Sequence, residues 1–163
     1  MKIEDYIIVK NTIPKNICKL IVDECNTKPW VKHQWNNYTT GKNTSEQKKE
    51  LDIMFSTKSQ QDKLKLPVAK ALDEYQKLCS WDGEKTGSTW LTSYSTIRFN
   101  KYEVGTMMRK HYDHIHDIFD GKRKGVPLVS IVGNLNEDYE GSEFHCRNKE
   151  IKLKTGDILM FPS

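Results

Sequence analysis

Apolar residues along this chain recur first at helical spacing and then at strand spacing, and that change of period organises the reading of the whole sequence. Residues 3 to 10, IEDYIIVK, are rich in β-branched and aromatic side chains and predict a short strand. Pro14 suits a first helical turn, and Ile17, Leu20, Ile21 and Cys25 recur at helical intervals, which predicts an amphipathic helix from about 14 to 26. Residues 27 to 50 set Trp30 and Trp35 among Lys, Asn, Thr and Gln with no apolar period, so they read as a long surface loop. Its tryptophans either meet a substrate or anchor the loop to the core. Leu51, Ile53 and Phe55 then alternate with Asp52, Met54 and Ser56 as in a short strand. Leu64, Val68, Leu72, Tyr75 and Leu78 form the stripe of a second helix from near Ser59 to about Cys79, with Pro67 as a point of kinking. The stretch WDGEKTGST is turn-like.

From Thr89 the period drops from 3.6 to 2. TWLTSYSTIRFNKY alternates as a strand does, PLVSIVGNLN (127 to 136) has an apolar middle, and EFHC, EIKLK and DILMF are shorter strands parted by RNK and TG. Helices first and antiparallel strands afterwards predict an α+β fold, with the N-terminal helices packed on one face of a β-sandwich or barrel. The 163 residues suffice for one domain, comprising a support region over 1–88 and a β core over 89–163. No internal repeat or low-complexity segment interrupts it.

Composition narrows the function classes. With 36% hydrophobic and 29% charged residues, the chain has ordinary globular proportions, and no apolar run approaches the length of a membrane span. The N-terminus lacks the layout of a signal peptide, so a cytoplasmic protein is expected, with no membrane partner. The net charge of +4 comes from 22 Lys and only 4 Arg, scattered rather than massed. Base and phosphate recognition favours Arg, so no nucleic-acid partner is expected. Cys18, Cys25, Cys79 and Cys146 form no CxxC pair and are expected as free thiols, with Cys18 and Cys25 facing the core.

Candidate chemistry gathers in KYEVGTMMRKHYDHIHD, residues 101 to 117, where His111, His114 and His116 are three of the chain's five histidines. In extended backbone His111 and Asp113 point the same way, one offering a neutral nitrogen and the other an anionic oxygen. That donor mixture suits Fe(II) when a distant His completes the set and leaves positions open.

The ordered set Tyr102–x2–Gly105–x5–His111–x–Asp113, then GVPLVSIVGNLNEDYEGSEFHC, then LKTGDILMFPS, resembles the prolyl 4-hydroxylase-like branch of the Fe(II)/2-oxoglutarate-dependent oxygenases over residues 94 to 163. The first 90 residues resemble that family only loosely. The resemblance implies a double-stranded β-helix, the jelly roll, with His111 and Asp113 as iron ligands. It implies that Tyr102 hydrogen-bonds 2-oxoglutarate, and it sets Asn134 where relatives carry another polar contact to that co-substrate. Fe(II) and 2-oxoglutarate are the expected cofactors, with room for L-ascorbate.

The implied activity is hydroxylation of a peptidyl-prolyl or other amino-acid side chain, with succinate and CO2 as co-products. Trp30, Trp35 and Arg98 are expected near the substrate entrance, with the 27–50 loop as a lid. Two departures stand out. Ser142 replaces the second Gly of the family's turn. The family's distal His and its basic partner for 2-oxoglutarate follow the Phe-Pro segment, so both are expected beyond Ser163. His145, His114 and His116 do not fit the family's third-ligand position. The competing readings are a non-catalytic β-sandwich relative that binds metal or peptide, and a jelly-roll metalloprotein that uses the His cluster without 2-oxoglutarate.

Overall fold

The computed structural model describes residues 2–37, 40–45, 48–79, 94–111, 113, 128–141 and 143–163. Its elements run β1 (Ile8–Asn11), α1 (Lys15–Asn26), β2 (Val31–Lys32), β3 (Trp35–Asn37), β4 (Lys42–Thr44), β5 (Asp52–Phe55), α2 (Lys58–Cys79), β6 (Arg98–Lys101), β7 (Val129–Gly133), β8 (Phe144–Cys146), β9 (Lys149–Ile151) and β10 (Asp157–Pro162). Two helices with antiparallel sheets make this an α+β fold, as the order of periods predicts. One sheet has the order β1-β10-β7 and another β2-β5-β6, while β3-β4 and β8-β9 are two-stranded.

Helix α1 spans the range its spacing predicts, with Cys18, Ile21 and Cys25 buried. Helix α2 begins at a reciprocal cap. The Thr57 amide donates to Gln60 Oε1 at 2.9 Å, and the Gln60 amide donates to Thr57 Oγ1 at 3.3 Å. Gln60 is buried there, and its amide nitrogen lies 3.6 Å from Cys25 Sγ, tying α2 to α1. Leu64, Val68 and Tyr75 are buried as expected, joined by Pro67 and Ala71, and α2 continues through Pro67. Leu78 is 49% exposed, because the buried stripe passes from Tyr75 to Cys79 and leaves Leu78 beside it.

Strand β10 lies between β1 and β7, and Ile158, Leu159 and Met160 are all essentially inaccessible. Ile158 and Met160 turn toward the helices and share a core with Cys18, Ile21, Val68 and Tyr75. In the second sheet, Met54 pairs with Phe99 and both join that core. Since neighbours on a strand point oppositely, Ile53, Phe55, Arg98 and Asn100 occupy the other face.

Three expectations need correcting. IEDY forms a 3-10 turn rather than strand, because Asp5 accepts the Lys2 amide at 2.7 Å and curls the chain before β1. Residues 27–50 are not one loop. They contain β2, β3 and β4, too short to impose a readable period, with Trp35 opposite Thr44 and Asn37 opposite Lys42. The strand expected from Thr89 is seen over Arg98–Lys101, and 80–93 fall outside the described residues. All four cysteines are free. Among the described residues, no helix is long and apolar enough to cross a membrane.

Candidate functional site

Strand β6 delivers Tyr102 and then turns sharply. The Thr106 amide donates to the Glu103 carbonyl at 2.9 Å, while Thr106 Oγ1 accepts from the Glu103 amide at 2.8 Å. Gly105 takes φ +82 in this turn, a conformation that disfavours residues with a Cβ. The chain then returns alongside residue 49, where the Met107 amide donates to the Lys49 carbonyl at 3.0 Å. The Tyr-x2-Gly-x5-His spacing is therefore a strand end, a left-handed turn and a short return that carries His111 back.

Behind this return lies Glu50, a carboxylate with 1% of its surface exposed. Trp35 Nε1 donates to both of its oxygens, at 3.0 and 3.1 Å, and Arg109 Nη2 donates at 3.1 Å. Buried His33 puts Nδ1 3.5 Å from Oε2, without hydrogen-bond geometry. Burial, followed by the positive charge of Arg98, holds His33 below the ordinary imidazole range. The Trp35 ring stands edge-on between two imidazoles, 4.8 Å from His33 and 5.4 Å from His111. This cluster fixes where His111 can go.

His111 and Asp113 come together as expected, with Nε2 3.1 Å from Oδ1 and side chains 36% and 42% exposed. The other ring nitrogen decides what this contact means. Nδ1 lies 2.7 Å from the Arg109 carbonyl, which can only accept, so Nδ1 carries a hydrogen. In the neutral ring Nε2 is then a bare lone pair aimed at a carboxylate oxygen, and two acceptors do not rest 3.1 Å apart without a cation between them. A proton supplies one solution. The hydrogen bond that the protonated ring donates to Asp113 raises the His111 pKa against the opposing effect of burial, and the same bond, helped by Ser130, lowers that of Asp113.

A metal ion supplies the other solution. Neighbouring ligands of an octahedral ion at about 2.1 Å sit about 3.0 Å apart, close to the spacing seen. Donation of the second ring nitrogen to a backbone carbonyl is the usual way a ligand histidine is held. The pair thus fits a metal such as Fe(II). Among the described residues no group of three His, Cys, Asp or Glu side chains could hold a metal ion. His114 and His116 lie outside the described residues. His145 sits exposed on β8 opposite Glu150.

Tyr102 is 44% exposed, yet desolvation raises its phenol pKa against the pull of Arg98. Asn134 is not brought to the pair. It follows β7 at the end away from Ser130, about 13 Å along the strand at 3.3 Å per residue. Its Nδ2 donates to the carbonyls of Asn136 (2.8 Å) and Leu153 (3.2 Å), and its Oδ1 accepts from Tyr139 at 3.3 Å. Trp30 serves as an anchor, with Nε1 donating to the Cys25 carbonyl at 3.2 Å and its ring packed against the core. Trp35 is likewise an anchor, through Glu50.

Sequence reasoning passed over Glu50 and His33. Glu50 stands in a run of Lys and Glu that reads as surface, and its burial depends on Trp35 and Arg109, remote in sequence. No local signal marks it. Compared with known proteins, the chain matches no family model, no curated protein and no solved structure.

Proposed function

We propose that the chain is the Fe(II)- and 2-oxoglutarate-binding part of an oxygenase that hydroxylates a peptidyl-prolyl or other amino-acid side chain. The single observation that carries this reading is His111 Nε2 facing Asp113 Oδ1 at 3.1 Å, while Nδ1 is committed to the Arg109 carbonyl. Support comes also from the motif order and from two three-stranded antiparallel sheets that put one face on the helices, an arrangement compatible with a double-stranded β-helix. On this reading His111 and Asp113 hold the iron, with a third protein ligand outside the described residues. Tyr102, desolvated but accessible, orients 2-oxoglutarate. Asn134 belongs to the proposal as a second contact only if its loop opens, because all its side-chain polar atoms are engaged. Bound iron supplies dioxygen activation coupled to oxidative decarboxylation of 2-oxoglutarate, with L-ascorbate to keep it ferrous.

The test is anaerobic titration of Fe(II) into the wild type and Asp113→Ala, followed by an assay of 2-oxoglutarate-dependent succinate release. The wild type is expected to bind one iron and release succinate. Asp113→Ala is expected to lose at least about a hundredfold in affinity, beyond the range for removing a mere supporting partner of a ligand. Equal iron affinity in the two proteins, with melting curves unchanged, would leave His111–Asp113 as a proton-bridged ion pair and end the reading.

A further inference from the structure

We propose that His33 is an acid-operated release for the segment that carries His111: when its ring takes up a proton, Arg109 leaves Glu50 for water and His111 loses its support. The release stands on the buried cluster alone, and its effect on bound cations rests on the reading of His111 and Asp113 as a cation site. The His33 amide donates to the Leu51 carbonyl at 2.9 Å, which fixes its backbone beside the residue that follows Glu50. His33 is 7% exposed and Glu50 1%. Among the described residues His33 Nδ1 has no hydrogen-bond partner, although Glu50 Oε2 lies 3.5 Å away. An unpaired buried nitrogen next to a buried carboxylate is an uncommon arrangement, and imidazole is the side chain that titrates near neutrality.

The charged groups facing this ring come from four places. On its own segment Lys32 is occupied by Asp52 at 2.9 Å. Glu50 faces it from the residues before β5, and Arg98 acts on it from β6. His111 acts from the return segment, with the Trp35 ring standing between the two imidazoles. Burial, then Arg98, oppose a proton on His33 more than Glu50 favours one, so the ring is neutral in the closed cluster. By linkage, a proton that does arrive favours whichever arrangement accommodates it better.

Charge counting shows which member moves. Glu50 and Arg109 cancel, so an imidazolium leaves the cluster with one positive charge in excess. Glu50 and His33 are buried and Trp35 is uncharged, whereas the Arg109 side chain is 46% exposed and has a route to water. Its departure leaves Glu50 to Trp35 and the imidazolium. The return segment then keeps the Met107 amide on Lys49 and the edge of Trp35 on His111. The Arg109 carbonyl, which accepts from His111 Nδ1 at 2.7 Å, is no longer anchored through its own side chain. A cation held by His111 and Asp113 is thus lost in acid more steeply than protonation of those two ligands requires.

The first readout needs no metal. In a His111→Gln background, where that ring's titration and the cation site are both gone, NMR follows the Arg109 Nε and Trp35 Nε1 resonances from pH 7.5 to 5.5. Both are expected to move with one midpoint below about pH 6.5, Arg109 toward the position of a water-exposed arginine, and to stand still once His33→Phe is added. Should melting at neutral pH show that His33→Phe unfolds the chain, His33→Gln replaces it. An Arg109 resonance that does not move, or moves equally without the His33 imidazole, overturns the proposal. The second readout is Mn(II) affinity at the same two pH values in the wild type and His33→Phe. The wild type is expected to lose about tenfold more, the scale for removing a partner that supports a metal ligand. Equal losses overturn the link between the release and the site. If Mn(II) binds neither protein, the cation-site reading falls, and the resonances still decide whether His33 frees Arg109.

Discussion

Replacing Glu50 by Gln conserves volume and removes one charge from the most buried carboxylate behind the candidate site. Trp35 Nε1 donates to this carboxylate at 3.0 and 3.1 Å and Arg109 Nη2 at 3.1 Å, and His33 Nδ1 lies 3.5 Å away without hydrogen-bonding it. The amide can still accept at one atom, but its NH2 group must face an indole N–H, a guanidinium or an imidazole. A hydrogen bond to a charged group contributes about 1.5–3 kcal/mol, which we assign to the Trp35 contact. Arg109 is 46% exposed and re-solvates easily, so its share is held to the 0–1 kcal/mol of surface pairs. The total is about 2–4 kcal/mol. At about 2–4 °C per kcal/mol for a chain of this size, the melting temperature should fall by about 4–16 °C. Circular dichroism melting at neutral pH measures it. Metal affinity should weaken as well, because Trp35 and Arg109 fix the segment that ends in His111. A melting temperature within 2 °C of the wild type would refute the claim that this carboxylate organises the site.

Two further outcomes follow from the same structure. Gly156 adopts φ +91, and a Cβ there would lie 2.3 Å from the Ile13 carbonyl oxygen, so Gly156→Ala should cost at least about 2 kcal/mol, read by urea denaturation, and an unchanged midpoint would contradict the β1–β10 packing. His33 is held below the ordinary imidazole value by burial, so the unfolded chain takes up its proton first. The stability this residue contributes is intact above about pH 6.5 and is lost as pH falls toward the lower folded value. Denaturation at pH 7.5 and 5.5 should therefore show a smaller acid loss in His33→Phe than in the wild type, and an equal loss would show that His33 does not titrate low.

The helices were legible because Ile17, Ile21 and Cys25 in α1, and Leu64, Val68 and Tyr75 in α2, repeat over several turns. The β-strand over 52–55 and the apolar run of β10 were legible for the same reason, each side chain having one face to satisfy. Strands β2 to β4 were not, since two or three residues cannot display a period. The Thr57–Gln60 cap stands in the sequence as Thr-x-x-Gln but went unread, because one such pair without its geometry does not mark a helix start. His111 and Asp113 were legible as a pair from alternation alone, while the hydrogen on Nδ1 that leaves Nε2 facing Asp113 depends on the Arg109 carbonyl, which any residue would supply. Glu50 could not be seen, because its burial and pairing are decided by residues distant in sequence.

The pairing of β1 with β10 has a consequence for biogenesis. Ile8 leaves the ribosome about 150 residues before its partner Met160. At a synthesis rate of about 5–20 residues per second, β1 waits about 8–30 seconds for that neighbour. The apolar stripes of α1 and α2 must spend that interval against each other or against a chaperone. Final assembly therefore waits on one long-range event, and folding should be slow compared with that of a helical bundle of similar size.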